Sequence, residues 1–129
     1  MKSHIVVLQQ SGRPNLEGTI KALREKLENP ERELIVLSAR DVPPQEIQAA
    51  GAFILAAEDI DADSFAEAAR VFKGINLSGR RVGYFGYSGA VVAWLKDLTA
   101  DAELSRAVPD LVGSAPDSAA LGAFARAFD

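Results

Sequence analysis

The segment 79–89 has the residue types of a ligand-binding loop at the end of a strand. Its apolar run Val82–Phe85 predicts a buried strand, because the run is short, bounded by glycines and followed by a helical pattern from Ala90. Gly83 inside this run predicts close approach or tight packing of a neighbour. The loop after this strand consists of Gly86, Tyr87, Ser88 and Gly89. In open α/β sheets, ligands bind in the crevice outside the carboxyl ends of the strands. This loop is therefore the first candidate site.

The composition excludes several kinds of chemistry. The 129 residues contain no cysteine, which excludes disulfides, thiolate zinc sites, iron–sulfur clusters and thiol nucleophiles. The single histidine, His4, opens the first predicted strand, so no Ser/His triad and no catalytic or metal-binding residue is assigned. A net charge of −4 without a basic stripe argues against nucleic-acid binding. The apolar run Ile5–Leu8 is too short for a signal peptide or a membrane span, and we expect a cytoplasmic protein.

Strand-like and helical patterns alternate along the chain. Short apolar runs predict five strands, at Ile5–Leu8, Leu34–Leu37, Ala52–Ala57, Val82–Phe85 and Asp110–Gly113. Amphipathic spacing predicts helices after the first, third, fourth and fifth strands, with a short helix at most at Gln45–Ala50 and a helical turn at Asp101–Ala107. Ser64 and Glu67 have the spacing of a capping box, and Asp117 or Ser118 is expected to cap the last helix. The alternation predicts one domain, residues 1–129, with a parallel sheet covered by helices on both faces.

The chain resembles the flavodoxins over nearly its full length. Three segments carry the resemblance: Ile5–Gly12 leading into an amphipathic helix, Ala50–Ala57, and Leu77–Gly86. The resemblance implies an α/β, flavodoxin-like, doubly wound five-stranded parallel sheet in the order 2-1-3-4-5. It also implies an FMN cofactor at the carboxyl edge of the sheet, where three loops meet.

The resemblance assigns the FMN phosphate to the loop after the first strand. Flavodoxins place hydroxyl groups and backbone amides there, and such groups at the start of a helix suit a dianion. Ser11 and Gly12 match the centre of this motif, but Gln9 and Pro14 stand where the family has hydroxyl groups. We expect Arg13 to compensate through a charge-assisted contact with the phosphate. The candidate residues are Gln10, Ser11, Gly12, Arg13 and Asn15. The alternative is a plain polar loop that starts a helix.

The resemblance assigns the flavin ring to two further loops. The candidates are Ala57, Glu58 and Asp59 after the third strand, and Gly86, Tyr87, Ser88 and Gly89 after the fourth. Tyr87 is expected to stack on the ring. The acidic side chains of Glu58 and Asp59 are expected to disfavour a negative charge on the reduced flavin. The alternative for the acidic cluster is a solvated helix start.

Two functions remain open. One is an FMN-binding electron carrier, with an unidentified redox partner protein and no substrate of its own. The other is a flavodoxin-like module that has lost FMN binding and acts as a binding or regulatory protein, since fold does not settle function. A receiver domain is disfavoured because Gln9-Gln10 and Ser114 replace its acidic residues and its lysine. A Rossmann dinucleotide-binding site is disfavoured because the Gly-x-Gly-x-x-Gly motif that it requires after the first strand is absent.

Overall fold

The computed structural model describes residues 3–129 as a parallel sheet with helices on both faces. The strands are β1 (Ser3–Gln9), β2 (Arg32–Ser38), β3 (Ala52–Ala57), β4 (Arg81–Gly86), β5 (Ser105–Arg106) and β6 (Leu111–Val112). The helices are α1 (Leu16–Leu27), α2 (Pro44–Ala49), α3 (Ala62–Gly74), α4 (Gly89–Leu98) and α5 (Ser118–Arg126), with a 3-10 helix at Ala100–Ala102. Within residues 3–129, no helix combines the length and apolar composition that crossing a lipid bilayer requires.

The strand order confirms the predicted arrangement 2-1-3-4-5. The fifth position is shared by two short segments, because β5 pairs with the start of β4 and β6 pairs with its end. The helical turn expected at Asp101–Ala107 is wrong beyond Ala102. The amide of Ser105 donates to the carbonyl of Arg80 at 2.8 Å, and the amide of Ala107 donates to that of Val82 at 2.7 Å. Pairing with the open side of β4 outweighs the local helical preference, because it satisfies backbone groups of a buried strand.

Alternate residues of the strands pack into two separate apolar clusters. One cluster joins Val6, Leu8, Phe53 and Leu55 to α2, α3 and α4, and the other joins Ile5, Val7, Ile54 and Phe85 to α1 and α5. The expected burial of the central strands is confirmed. The apolar strand pattern predicts burial of Val6, Leu8, Val36, Ile54, Leu55, Val82 and Phe85. Val36 is the exception among these, since it is only half-buried on the outermost strand β2.

Gly83 allows two aromatic rings to pack directly on the sheet. A Cβ atom at this position would lie 2.7 Å from the Cζ atoms of both Phe124 and Phe128, which is closer than carbon atoms approach. A glycine inside an apolar strand predicts a close neighbour. The neighbours here are the rings of Phe124, on α5, and of Phe128, shortly after α5.

Of the two helix caps predicted from the sequence, the one at the start of α5 is confirmed and the one at the start of α3 is wrong. Asp117 caps α5, and its Oδ1 accepts a hydrogen bond from the amide of Ala120 at 2.8 Å. The capping box at Ser64 is wrong, because α3 begins two residues earlier, at Ala62, with Asp61 as its N-cap residue. The Ser64 hydroxyl instead donates to the carbonyl of Asp61 at 2.6 Å. Ser64 is fully buried. Because its hydroxyl donates to Asp61, its oxygen remains available to accept a hydrogen bond from a residue of another loop.

Candidate functional site

The carboxyl edge of the sheet brings together the loops that follow β1, β3 and β4. These strands are neighbours and run in the same direction, so their final residues, Gln9, Ala57 and Gly86, lie at one edge. All predicted site residues belong to these three loops or to the strand ends that support them. The loop after β6 joins them, since the amide of Gly113 donates to the carbonyl of Gly86 at 2.9 Å.

Gln10 fastens the first loop to the second from inside the protein. Its side chain is 2% exposed. Its Oε1 accepts from the amides of Glu58 at 2.9 Å and Asp59 at 3.3 Å. Its Nε2 donates to Asp59 Oδ1 at 2.9 Å, to the Asp59 carbonyl at 3.1 Å and to Ser64 Oγ at 3.0 Å. The side-chain amide of Gln10, a predicted cofactor-binding residue, therefore positions the neighbouring loop.

Arg13 forms a second connection between the same two loops, at the surface. Its guanidinium donates to both carboxylate oxygens of Asp59, at 3.0 and 3.3 Å, and lies 3.4 Å from Asp61 Oδ2. Its Nη1 also donates to the carbonyl of Ser11 at 3.3 Å. Bidentate pairing of this kind orients the guanidinium. The positive charge expected to contact a phosphate is therefore already paired with two carboxylates of the protein, whose combined negative charge exceeds it, and a bound anion has to compete with them.

The loop after β1 leaves backbone donors open beside α1. Gly12 has a φ of +71°, a conformation that glycine adopts without strain. Within residues 3–129, the amides of Ser11 and Gly12 take part in no hydrogen bond. Asn15 is the N-cap residue of α1, but its side chain makes no capping bond. A groove of about 310 Å³ runs along this loop and reaches Glu17 and Ser38. Open amides at a helix start are suited to an anionic group.

The loop after β3 has a buried base and an apolar tip. Ala57 is fully buried, whereas Ile60 is 57% exposed. None of the residues from Glu58 to Asp61 has a positive φ, so the absence of a glycine there imposes no backbone strain. Glu58 forms no ion pair within the described part of the chain, in contrast to Asp59 and Asp61. Ile60 belongs to the segment Glu58–Ile60, which the flavodoxin resemblance implies as the first ring-flanking loop, and it is the exposed apolar residue of that segment.

The loop after β4 presents a half-buried aromatic ring. Tyr87 packs against Phe85, with 5.9 Å between the ring centres. Burial raises the pKa of the Tyr87 hydroxyl, and the nearby negative charge of Glu58 raises it further. Ser88 caps α4 by accepting from the amide of Val91 at 3.3 Å, and Gly89 is the first residue of that helix. The second and third loops lie side by side, because they follow the paired strand ends Ala57 and Gly86.

Two further aromatic residues, Tyr84 and Trp94, pack in the apolar core on one face of the sheet. Tyr84 is buried, and its hydroxyl lies 2.6 Å from Thr99 Oγ1. Trp94 is half-buried on α4 and packs edge-on against Phe65, with 5.4 Å between ring centres. Both aromatic side chains lie on the face of the sheet that carries α3 and α4.

The Arg13–Asp59 pair predicts a specific acid sensitivity. The hydrogen bond from Arg13 lowers the pKa of Asp59, and the bond from Gln10 acts in the same direction. A carboxylate with a lowered pKa stabilises the folded state above its unfolded pKa of about 4, and this contribution disappears as the pH falls below that value. We therefore expect Asp59→Asn to reduce the difference in unfolding free energy between neutral and acidic solution, measured by urea unfolding across the pH range.

The control for this prediction is Glu25→Gln on α1. Glu25 is exposed and forms no ion pair within residues 3–129. This substitution should leave the pH dependence of stability unchanged. Identical pH profiles for Asp59→Asn and the unchanged protein would show that the Arg13–Asp59 contact does not contribute to folding.

Solved structures with the same arrangement are flavodoxins. A short-chain flavodoxin associated with a non-canonical PDU bacterial microcompartment is 15% identical, with a TM-score of 0.76 over 98% of this chain and 96% of that chain. Oxidised flavodoxin 1 from Bacillus cereus is 18% identical, with a TM-score of 0.75 over 96% and 93%. Two-electron reduced flavodoxin from Megasphaera elsdenii is 17% identical, with a TM-score of 0.74 over 97% and 99%. No protein-family model and no curated protein matches this sequence.

Proposed function

From the premise that this chain has the flavodoxin-like fold, we propose that it binds FMN at the carboxyl edge of its sheet and carries electrons. The observation that supports this most strongly is the composition of that edge. Open amides and a guanidinium at the start of α1 lie on the same edge as the exposed Ile60 and the half-buried Tyr87. One part suits a phosphate and the other a planar aromatic group.

The residues that would hold FMN divide into two groups. Ser11, Gly12 and Arg13 would bind the phosphate, and Asn15 lies beside them at the helix start. Ile60 and Tyr87 would flank the ring and exclude water from it. When bound, FMN supplies the one- and two-electron chemistry, and the protein supplies binding and electrostatics.

The acidic side chains of the second loop would have unequal effects on the cofactor. Asp59 and Asp61 share the single positive charge of Arg13, so this cluster keeps one net negative charge. Glu58 forms no ion pair among the described residues, and its charge raises the pKa of Tyr87. Negative charge on a reduced flavin would therefore be opposed by Glu58 and by the excess charge of the Asp59–Asp61 cluster. A redox partner protein and a cytoplasmic location are parts of this proposal.

The second candidate is a module of the same fold without a cofactor. It is favoured by one observation: Gln10 and Arg13 join the first two loops through hydrogen bonds that need no ligand. Such a protein would present a preformed carboxyl edge to a partner or regulator. The two candidates differ in whether FMN stabilises the folded state.

Titration of the protein with FMN and with riboflavin tests the proposal. We expect FMN to bind more tightly, because only FMN carries a phosphate. Arg13→Gln should weaken FMN about tenfold or more and leave riboflavin nearly unchanged, since a hydrogen bond to a charged group contributes about 1.5–3 kcal/mol. Flavin fluorescence reports binding, and the melting temperature reports stabilisation of the native state.

The control for Arg13 is Arg70→Gln, because Arg70 is an exposed arginine paired with Glu67 on α3. It should not alter FMN affinity. Equal affinities for FMN and riboflavin would contradict the phosphate site. A melting temperature that saturating FMN does not change would contradict the carrier and favour the cofactor-free module.

A further inference from the structure

The sheet has an open edge at β2, the outermost strand on that side. In a parallel pair, alternate residues of a strand direct their backbone groups to the neighbour, and the others direct them outward. The amide of Ala39 donates to the carbonyl of Gln9 on β1 at 2.8 Å, so the odd-numbered residues of β2 face β1. The outward backbone groups therefore belong to Arg32, Leu34, Val36 and Ser38.

Contacts within the protein cover three of these four residues. Arg32 and Asn29 exchange two backbone hydrogen bonds, at 3.1 and 3.2 Å, and the carbonyl of Ser38 accepts from the amide of Asp41 at 3.1 Å. Leu34 lies between Arg32 and Ser38, and the side chains of Arg24 and Glu28 cover its backbone groups instead. Within residues 3–129, the amide and carbonyl of Val36 take part in no outward hydrogen bond.

The side chains of Arg24 on α1 and of Glu28, the C-cap residue of α1, cover both backbone groups of Leu34. Glu28 Oε2 accepts from the Leu34 amide at 3.0 Å, and Arg24 Nη1 donates to the Leu34 carbonyl at 3.1 Å. Arg24 and Glu28 also form an ion pair with each other at 3.2 Å. Side chains with this spacing on a helix are neighbours, so the pair reaches the strand as one unit. It occupies the donor and the acceptor that an added strand would use.

The sequence of β2 is suited to pairing with itself. Ile35, Val36 and Leu37 are each partly exposed. In an antiparallel pair of two copies centred on Ile35, Leu34 of one copy lies opposite Val36 of the other, so apolar residues meet across the centre. This register uses the outward groups of Leu34 and Val36 in both copies. An uncovered strand of this composition would be a template for association.

We propose that the Arg24–Glu28 pair is an edge guard that prevents β2 from pairing with β2 of a second copy of this chain. Val36 alone cannot sustain a ladder, because both backbone groups of Leu34 and the carbonyl of Ser38 are already occupied. Removing the guard frees two adjacent outward residues, Leu34 and Val36, which is enough for a short antiparallel ladder in the register described above. The guard is independent of any ligand at the carboxyl edge.

Glu28→Ala tests the edge guard, with Glu67→Ala as the matched control. Both substitutions remove one carboxylate from an Arg–Glu pair at a helix, but within residues 3–129 the side chains of Arg70 and Glu67 make no hydrogen bond outside their own pair. In dilute Glu28→Ala protein, the Leu34 amide should exchange with solvent about tenfold faster or more, because it loses a hydrogen bond to a charged group. Sedimentation should show a mass that rises towards a dimer with concentration, while Glu67→Ala behaves as the unchanged protein.

Hydrogen exchange also locates the new contact. As the concentration of Glu28→Ala rises, the amides of Leu34 and Val36 should become protected together. Glu28→Gln keeps an acceptor oxygen for the Leu34 amide and should associate less than Glu28→Ala. If Glu28→Ala does not fold, Arg24→Ala uncovers the carbonyl of Leu34 and is measured in the same way.

Two results would overturn the proposal. One is a double variant, Arg24→Ala with Glu28→Ala, whose mass stays that of the unchanged protein at every concentration, since the uncovered edge then recruits no second copy. The other is association without protection of Val36, because the copies then meet through a different surface.

Discussion

Replacing Gln10 with alanine should lower the free energy of unfolding by about 2–4 kcal/mol. The buried amide of Gln10 holds the loop after β3 through the amides of Glu58 and Asp59 and through Ser64 Oγ. Alanine cannot replace these bonds, and each buried polar group left without a partner costs about 1–3 kcal/mol. Partial access of water to Glu58 and Asp59 limits the total. Urea unfolding at neutral pH measures the change.

Gln9→Ala is the control for this prediction. Gln9 is adjacent in sequence and half-buried, and its side chain makes no hydrogen bond within the described residues. Its replacement should change the stability by no more than about 0.5 kcal/mol. Hydrogen exchange adds a local readout, because the Glu58 amide should exchange faster in Gln10→Ala and remain unchanged in Gln9→Ala. Similar stabilities for the two variants would contradict the role assigned to Gln10.

Ile54→Ala should lower the free energy of unfolding by about 2–5 kcal/mol, the range for truncating a buried isoleucine. Ile54 is fully buried in the central strand β3, next to Val7 of β1 and Gly83 of β4. It packs in the apolar cluster formed with α1 and α5. Strands on both sides and helices above limit how far the structure can close the cavity, which favours a large effect.

Ile60→Ala provides the matched substitution at an exposed position. Ile60 is 57% exposed at the tip of the loop after β3. Its truncation should alter stability by no more than about 0.5 kcal/mol, although it should weaken FMN if Ile60 flanks the ring. Thermal or urea unfolding of both variants gives the comparison. A loss below 1 kcal/mol for Ile54→Ala would be inconsistent with a central buried strand, since about 2–5 kcal/mol is expected there.

Local patterns in the sequence were sufficient for the architecture. Short apolar runs predicted β1 to β4, and their alternation with helices predicted a parallel sheet. Gly83 predicted close packing on β4, which the rings of Phe124 and Phe128 explain. The placement of the three candidate loops at one sheet edge also followed, because parallel strands bring their carboxyl ends together. Each of these features depends on residues close in sequence or on a general rule of chain topology.

The roles of the side chains at that edge depended on the tertiary structure. Gln10 and Arg13 were predicted to face a cofactor, but both bond to residues 46 to 54 positions away, which no local pattern specifies. Ser64 has capping spacing, yet its hydroxyl is an acceptor for Gln10. In the same way, Ser105 forms a strand because the open side of β4 offers hydrogen bonds that a helical turn leaves unused. Sequence patterns determined β1 to β4 and their alternation with helices, and the flavodoxin resemblance implied the strand order. Contacts between distant segments decided which polar groups remain available, because each buried group must find its partner in the folded chain.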